Sequence, residues 1–216
     1  MNITLTGADE RTPVESLTAL ADRGAEIGLL YTHSPDGRKR YPEIAWIDAV
    51  AGILKGRVAL HVCGVRARAE LAGGVLDRLV KHVERIQVNG PMMRETVAAI
   101  CRLYPQHTII TQHMPGNGDL FDLEYPNHAL LVDGSGGRGI APKHWCPPFA
   151  PLKPIGFAGG LSPATLPQQL PRIAAVAGFL PWIDLESGLR DEQDWFDVKL
   201  ANDAVTIFEQ WKAGNR

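Results

Sequence analysis

Asp133 ends the apolar run His128-Ala-Leu-Leu-Val132 and opens the stretch Gly134-Ser-Gly-Gly-Arg-Gly139. A carboxylate leaving a strand into a glycine-dense loop is how a catalytic acid is mounted, because the strand fixes it and the glycines leave room for a substrate. Aspartate before glycine is also a common plain turn. The density of glycine here, and Arg138 as an anion contact, favour the chemical reading. Two more apolar runs end in permissive turns, Pro154-Ile-Gly-Phe-Ala-Gly-Gly160 and Phe179-Leu-Pro-Trp-Ile-Asp-Leu-Glu-Ser-Gly188. Backbone N–H groups at Gly159, Gly160, Ser187 and Gly188, with Gly137 in the first loop, are candidate phosphate ligands. An acid beside an anion cradle is the equipment of an enzyme that acts on a phosphorylated small molecule.

These residues need a frame that brings three strand ends together. Eight short β-branched or apolar runs cross the chain, at about Ile3–Thr6, Glu26–Tyr31, Val58–Val62, Arg85–Val88, Thr108–Thr111, Ala129–Val132, Pro154–Phe157 and Trp182–Leu185. Helical spacing of apolar residues fills Pro13–Arg23, Glu43–Leu54, Arg66–Val80, Pro91–Tyr104, Pro163–Ala177 and Asp194–Trp211, while the fifth and sixth connections read as short and irregular. Strands alternating with helices give a parallel sheet, and eight such units in 216 residues predict one α/β domain, a closed (β/α)8 TIM barrel spanning residues 1–216.

Composition agrees with a soluble single domain. Hydrophobic residues make up 45% of the chain, enough for one sizeable core. A formal charge of -2 gives no field for nucleic acid or an anionic membrane, so the expected partner is a small molecule. No apolar run reaches the ~18 residues that span a bilayer. Cys63, Cys101 and Cys146 are too few and too scattered for a disulfide framework or a zinc cluster, and a reducing cytoplasm is expected. The histidines show no paired spacing, so neither metal nor cofactor is expected, and the chain is expected to be a monomer or homodimer.

In such a barrel the chemistry sits at the C-terminal ends of the strands. The residues found there are Thr6 and Asp9, Arg38 and Arg40, His61 and Cys63, Gln87 and Asn89, Gln112, Asp133 and Asp184. His61 and Cys63 share a face by the two-residue period of a strand. No lysine stands at a strand end in the manner of a Schiff-base enzyme.

With their order and spacing, these motifs resemble phosphoribosylanthranilate isomerase over nearly the whole chain. The family's LLLDS strand with its GGTG-like loop corresponds to Asp133 with Gly136–Gly139, its AGGL to Ala158–Leu161, and its DVxSGVE to Asp184–Leu189. Trp145 also matches, Thr4-Leu-Thr-Gly7 takes the place of KICG, and Ile86-Gln-Val-Asn-Gly90 takes that of VQLHG. The resemblance implies an Amadori-type isomerase of a phosphorylated ribosyl or aminosugar compound, with Asp133 as acid and Arg38 or Arg40 at the substrate. It also exposes departures. The family's general base is the cysteine of KICG, and that position is Thr6; its strand 4 histidine is Asn89, its closing glutamate is Arg190, and Glu186 stands where a small residue is usual.

A hydroxyl does not serve as a base near neutral pH without an activating neighbour. Candidates for a relocated base are Cys63, His61 and Asp9, in that order. Thr6, Arg38, Arg40, Gln87, Asn89, Gln112, Arg138 and Asp184 are expected to contact substrate. The alternative is an altered barrel that binds a phosphorylated metabolite or a protein partner without isomerase activity.

Overall fold

The computed structural model describes residues 1–133, 138–147, 150 and 152–215. Eight parallel strands close in sequence order into one barrel. They are β1 (Asn2–Thr6), β2 (Glu26–Thr32), β3 (Val58–Cys63), β4 (Arg85–Asn89), β5 (Thr108–His113), β6 (His128–Val132), β7 (Ile155–Ala158) and β8 (Trp182–Leu185). The ring closes where β1 meets β8, with Thr4 in register with Asp184.

Helices follow six of the strands: α1 (Val14–Asp22), α2 (Ile44–Leu54), α3 (Val65–Ala72) with the short α4 (Asp77–Val80), α5 (Arg94–Leu103), α6 (Leu166–Ala174) and α7 (Val198–Gly214). The single helix expected over Arg66–Val80 is broken, because Gly73 and Gly74 intervene and Gly74 takes a φ of 74°. The last helix begins at Val198 rather than Asp194: the Asp197 side chain accepts from the N–H groups of Lys199 (2.7 Å) and Leu200 (3.0 Å), a cap that fixes the start.

No helix follows β5 or β6 among the described residues, as the irregular spacing there foretold. Side-chain amides satisfy the backbone instead. Asn117, fully buried, donates to the carbonyls of Gly90 and Gln112 (both 3.0 Å) and accepts from Met92 N (2.9 Å). Asn127 donates to the carbonyls of Cys101, Tyr104 and His107 at 3.1 Å each. Asn117 thereby ties the loop after β5 to the one after β4, and Asn127 ties the segment before β6 to the C-terminal end of α5.

Strand alternation makes two cores. Residues pointing outward, such as Ile3, Leu5, Ile183 and Leu185, pack against the helices. Leu166, Leu170 and Ile173 of α6 meet them at helical spacing, each contributing about 1.5–3 kcal/mol by burial. Inward residues Ile110, Ala129, Leu131, Ala158 and Trp182 form a smaller cluster inside the barrel. Gly156 lets the Trp182 indole lie across the barrel, since a Cβ there would stand 2.1 Å from the ring. Below it Arg85 sits 4.4 Å from the ring centroid and pairs with Glu26 at 2.6 Å. This floor leaves polar chemistry to the opposite end.

Candidate active site at the barrel mouth

The strand period decides what reaches the mouth. On β8, Ile183 and Leu185 belong to the outer core, so Asp184 and then Glu186 turn inward. On β6, Ala129 and Leu131 lie inside, and Asp133 is the next residue on that face. Gln87 and Asn89 come from β4, and Gln112 from β5, where its Oε1 accepts from Gly90 N at 2.8 Å. These side chains line one cavity together with Gly159, Gly160 and Ser187. The acid candidate and the anion-cradle candidates therefore share a single space.

Asp184 is the electrostatic centre of that space. Burial pushes its carboxyl up to about 6, because the charged form loses water. The Thr6 hydroxyl, donating to Asp184 Oδ1 at 2.7 Å, and the Arg85 guanidinium hold it from rising further. Thr6 fits because its neighbour on β2 is Gly28, where a Cβ would stand 2.1 Å from the hydroxyl oxygen. Thr6 is fully buried beneath the cavity and bears on it through Asp184. Glu186 is raised by burial and by the charge of Asp184, while Arg40 opposes the shift through a 2.7 Å ion pair.

The turns after β7 and β8 lie close together. At Gly160, with φ of 64°, a Cβ would stand 2.3 Å from Ala141 N, so the segment after β6 runs directly over this turn. Gly139 is equally close to Ser187, lining the cavity beside it. Gly188 packs against the carbonyl of Leu161 rather than lining the cavity. Trp145 pins the segment from outside, its Nε1 donating to Gln169 Oε1 at 2.9 Å and its ring meeting Phe157 edge-on. Gly137 lies outside the described residues. Arg138 is described and is engaged in an interaction of its own, without lining the cavity.

The three residues expected to serve as base are placed differently. Cys63 lies in the adjoining trough, where burial pushes its thiol up to about 11 and disfavours the thiolate that a base would need. His61 is buried in the barrel interior, pushed down to about 4, with Nδ1 3.1 Å from Gln87 Nε2. The imidazole is neutral there and binds a proton weakly, and His61 does not line the cavity with Asp133 and Asp184. Asp9 is also a correction: its carboxylate accepts from the N–H groups of Arg11 (3.1 Å) and Phe196 (2.7 Å) and meets Arg190 at 3.4 Å. That network ties the loop after β1 to the segment before α7.

Beyond Asn89, Gln112 and Glu186 the mouth opens into a trough that holds Arg38, Arg40 and Tyr41. Arg38 stacks on Tyr41 at 4.7 Å, and Arg40 divides its charge between Glu186 and Asp194. Arg190, where the resembling motif carries glutamate, donates to Gly7 O and pairs with Asp9 and Asp194, so the segment after β8 is held to the end of β1. Sequence reasoning passed over Arg68, which lines the trough and donates to Asn89 O at 2.7 Å. Its only signal is its position in the first turn of the helix that follows Gly64. Among the described residues no three His, Cys, Asp or Glu side chains gather as a metal-ligand group, and no helix is long and apolar enough to cross a membrane.

No protein-family model and no curated protein matches the sequence. Solved structures match over nearly the full length. Phosphoribosyl anthranilate isomerase from Thermus thermophilus superposes with a TM-score of 0.70 at 18% identity, covering 98% of this chain and 100% of that one. A phosphoribosyl anthranilate isomerase in complex with reduced 1-(o-carboxyphenylamino)-1-deoxyribulose 5-phosphate gives 0.65 at 14% identity, covering 97% and 99%. The 3-hexulose-6-phosphate synthase of Salmonella typhimurium gives 0.58 at 14%, again covering 97% and 99%. At these identities the likeness is one of fold: the chain is a single TIM barrel on the plan of the phosphoribosylanthranilate isomerases, from end to end.

Proposed function

We propose that this barrel binds a phosphorylated ribosyl or aminosugar compound at its mouth and isomerises it from aldose to ketose by acid–base catalysis. The observation that carries the reading is the shared cavity of Asp133, Asp184 and the turn residues Gly159, Gly160 and Ser187. Asp133 is the acid for the ring oxygen. Asp184 is the base that takes the proton from carbon 2, and its midpoint of about 6 suits proton transfer near neutral pH. Both titrating groups are carboxyls, with roles set by environment. The base thus moves one strand, from the β1 position held by Thr6 to its hydrogen-bonded neighbour on β8.

Phosphate is assigned to the turns after β7 and β8, as barrels commonly do. Solved neighbours support this class of ligand: one holds a deoxyribulose 5-phosphate derivative and another is a hexulose-phosphate synthase. The substrate is small, the catalysis needs no cofactor, and a cytoplasmic monomer or homodimer fits the reading.

The test is proton exchange. In D2O the protein should convert a ribosylamine 5-phosphate into its 1-amino-1-deoxyketose with solvent deuterium at carbon 1, since carbon 2 becomes the carbonyl, read by 1H NMR, and Asp133→Asn or Asp184→Asn should slow this by about 10²–10⁴-fold. Binding of the same compound with no conversion to the ketose by the unmodified protein would support a barrel that binds phosphorylated metabolites without isomerase activity.

A further inference from the structure

The cavity carries a charge pattern that a phosphosugar alone does not match. Asp184 on β8 and Glu186 just beyond its end both line it, beside Asp133 after β6, and none of its described lining residues is lysine, arginine or histidine. Arg40 meets Glu186 from the trough side but is shared with Asp194. A bound phosphate would add further negative charge to this space.

A second observation concerns hydrogen bonding. Gln87 lines the cavity at 3% exposure, and its Oε1 is buried with no hydrogen-bond partner among the described residues. Its Nε2 is already committed, donating to Asn89 Oδ1 at 3.0 Å. A buried acceptor left unpaired is costly and calls for a donor. Asp184 and Glu186, two of the three lining carboxylates, and the amide of Gln87 therefore border a space that wants hydrogen-bond donors and positive charge together. An alkylammonium group supplies both, with up to three donors and no acceptor.

We propose that the phosphorylated ligand of this cavity carries a protonated alkyl amine, seated between Glu186 and Gln87. The inference rests on the phosphosugar reading above and narrows it. It separates the ligand from arylamines, whose nitrogen is uncharged at neutral pH and brings no cation to the carboxylates. It also gives Glu186 a purpose: the carboxylate that replaces a small residue in the resembling motif is the group that selects the amine.

The experiment uses calorimetric titration of the full chain at pH 7 with 1-amino-1-deoxyribulose 5-phosphate, ribulose 5-phosphate and inorganic phosphate. The two sugars differ only in ammonium against hydroxyl at carbon 1. The amine should bind about tenfold tighter or better, the range of a charge-assisted hydrogen bond. Glu186→Gln should bring the two sugars within about threefold of each other while inorganic phosphate binds more tightly, since a repelling charge is gone. If Glu186→Gln does not fold, the comparison in the unmodified protein decides alone. Equal affinity for both sugars, with inorganic phosphate still bound, would overturn the amine inference and leave the phosphate cradle standing. Failure of all three ligands to bind would overturn the cradle and the inference with it.

Discussion

Replacing Thr6 with valine isolates the interaction on which the proposed base depends. The Thr6 hydroxyl donates to Asp184 Oδ1 at 2.7 Å, and both residues are buried, at 0% and 6% exposure. Valine keeps the branched shape, and the absent Cβ of Gly28 leaves room for its second methyl. A hydrogen bond to a charged group is worth about 1.5–3 kcal/mol, and a pKa unit about 1.4 kcal/mol, so losing it should move Asp184 upward by roughly one to two units. From about 6, the midpoint should reach roughly 7 to 8 in Thr6→Val. The assay is a 13C NMR titration of aspartate carboxyls, with Asp184→Asn assigning the resonance and Thr6→Ser as the variant that retains the bond. The low-pH limb of a kcat/KM profile should move by the same amount. A midpoint in Thr6→Val unchanged from that of the unmodified protein would refute the reasoning, as would an Asp184 that titrates near its ordinary value.

Three further outcomes follow from the same geometry. Asp184→Asn should stabilise the fold while abolishing exchange: with its folded value above its unfolded one, Asp184 binds a proton more readily in the native state, so stability falls as pH rises from about 4 through about 6. Thermal unfolding should show a gain of about 1–3 kcal/mol for this variant at pH 8 and almost none at pH 4. Cys63→Ser should retain kcat within about threefold, because a thiol held at about 11 is not the working base; a loss of about a hundredfold in steady-state rates would contradict that assignment. Arg190→Met should cost about 3–5 kcal/mol, by stranding the buried carboxylate of Asp9, and lower Tm by roughly 10 °C in a calorimetric scan.

The fold was open to a reading of the sequence because strands and helices advertise themselves locally. Each of the eight apolar runs became a strand with ends shifted by at most two residues, and Trp182–Leu185 fell on its observed limits. The paired glycines at 73 and 74 were visible, yet the apolar spacing on either side read straight through them. Site residues divide along the same line. Asp133 and the glycine turns are marked by their own neighbours in the chain. What Asp184 does depends on Thr6, 178 positions away, and on a missing Cβ at Gly28, so its role emerges only when β1 and β8 pair. Asp9 misled for the opposite reason: a strand-end aspartate looks the same in sequence whether it faces a ligand or, as here, accepts backbone N–H groups from a distant segment. Cys63 and His61 share a face as the period requires, but the period does not report the burial that fixes their protonation.

A crystal structure of the full chain with ribulose 5-phosphate tests the account most directly. The phosphate should rest on the N–H groups of Gly160 and its neighbours in the turns after β7 and β8, with carbons 1 and 2 within reach of both Asp133 and Asp184. A phosphate bound instead among Arg38, Arg40 and Arg68 in the trough, with the sugar away from the two aspartates, would contradict it.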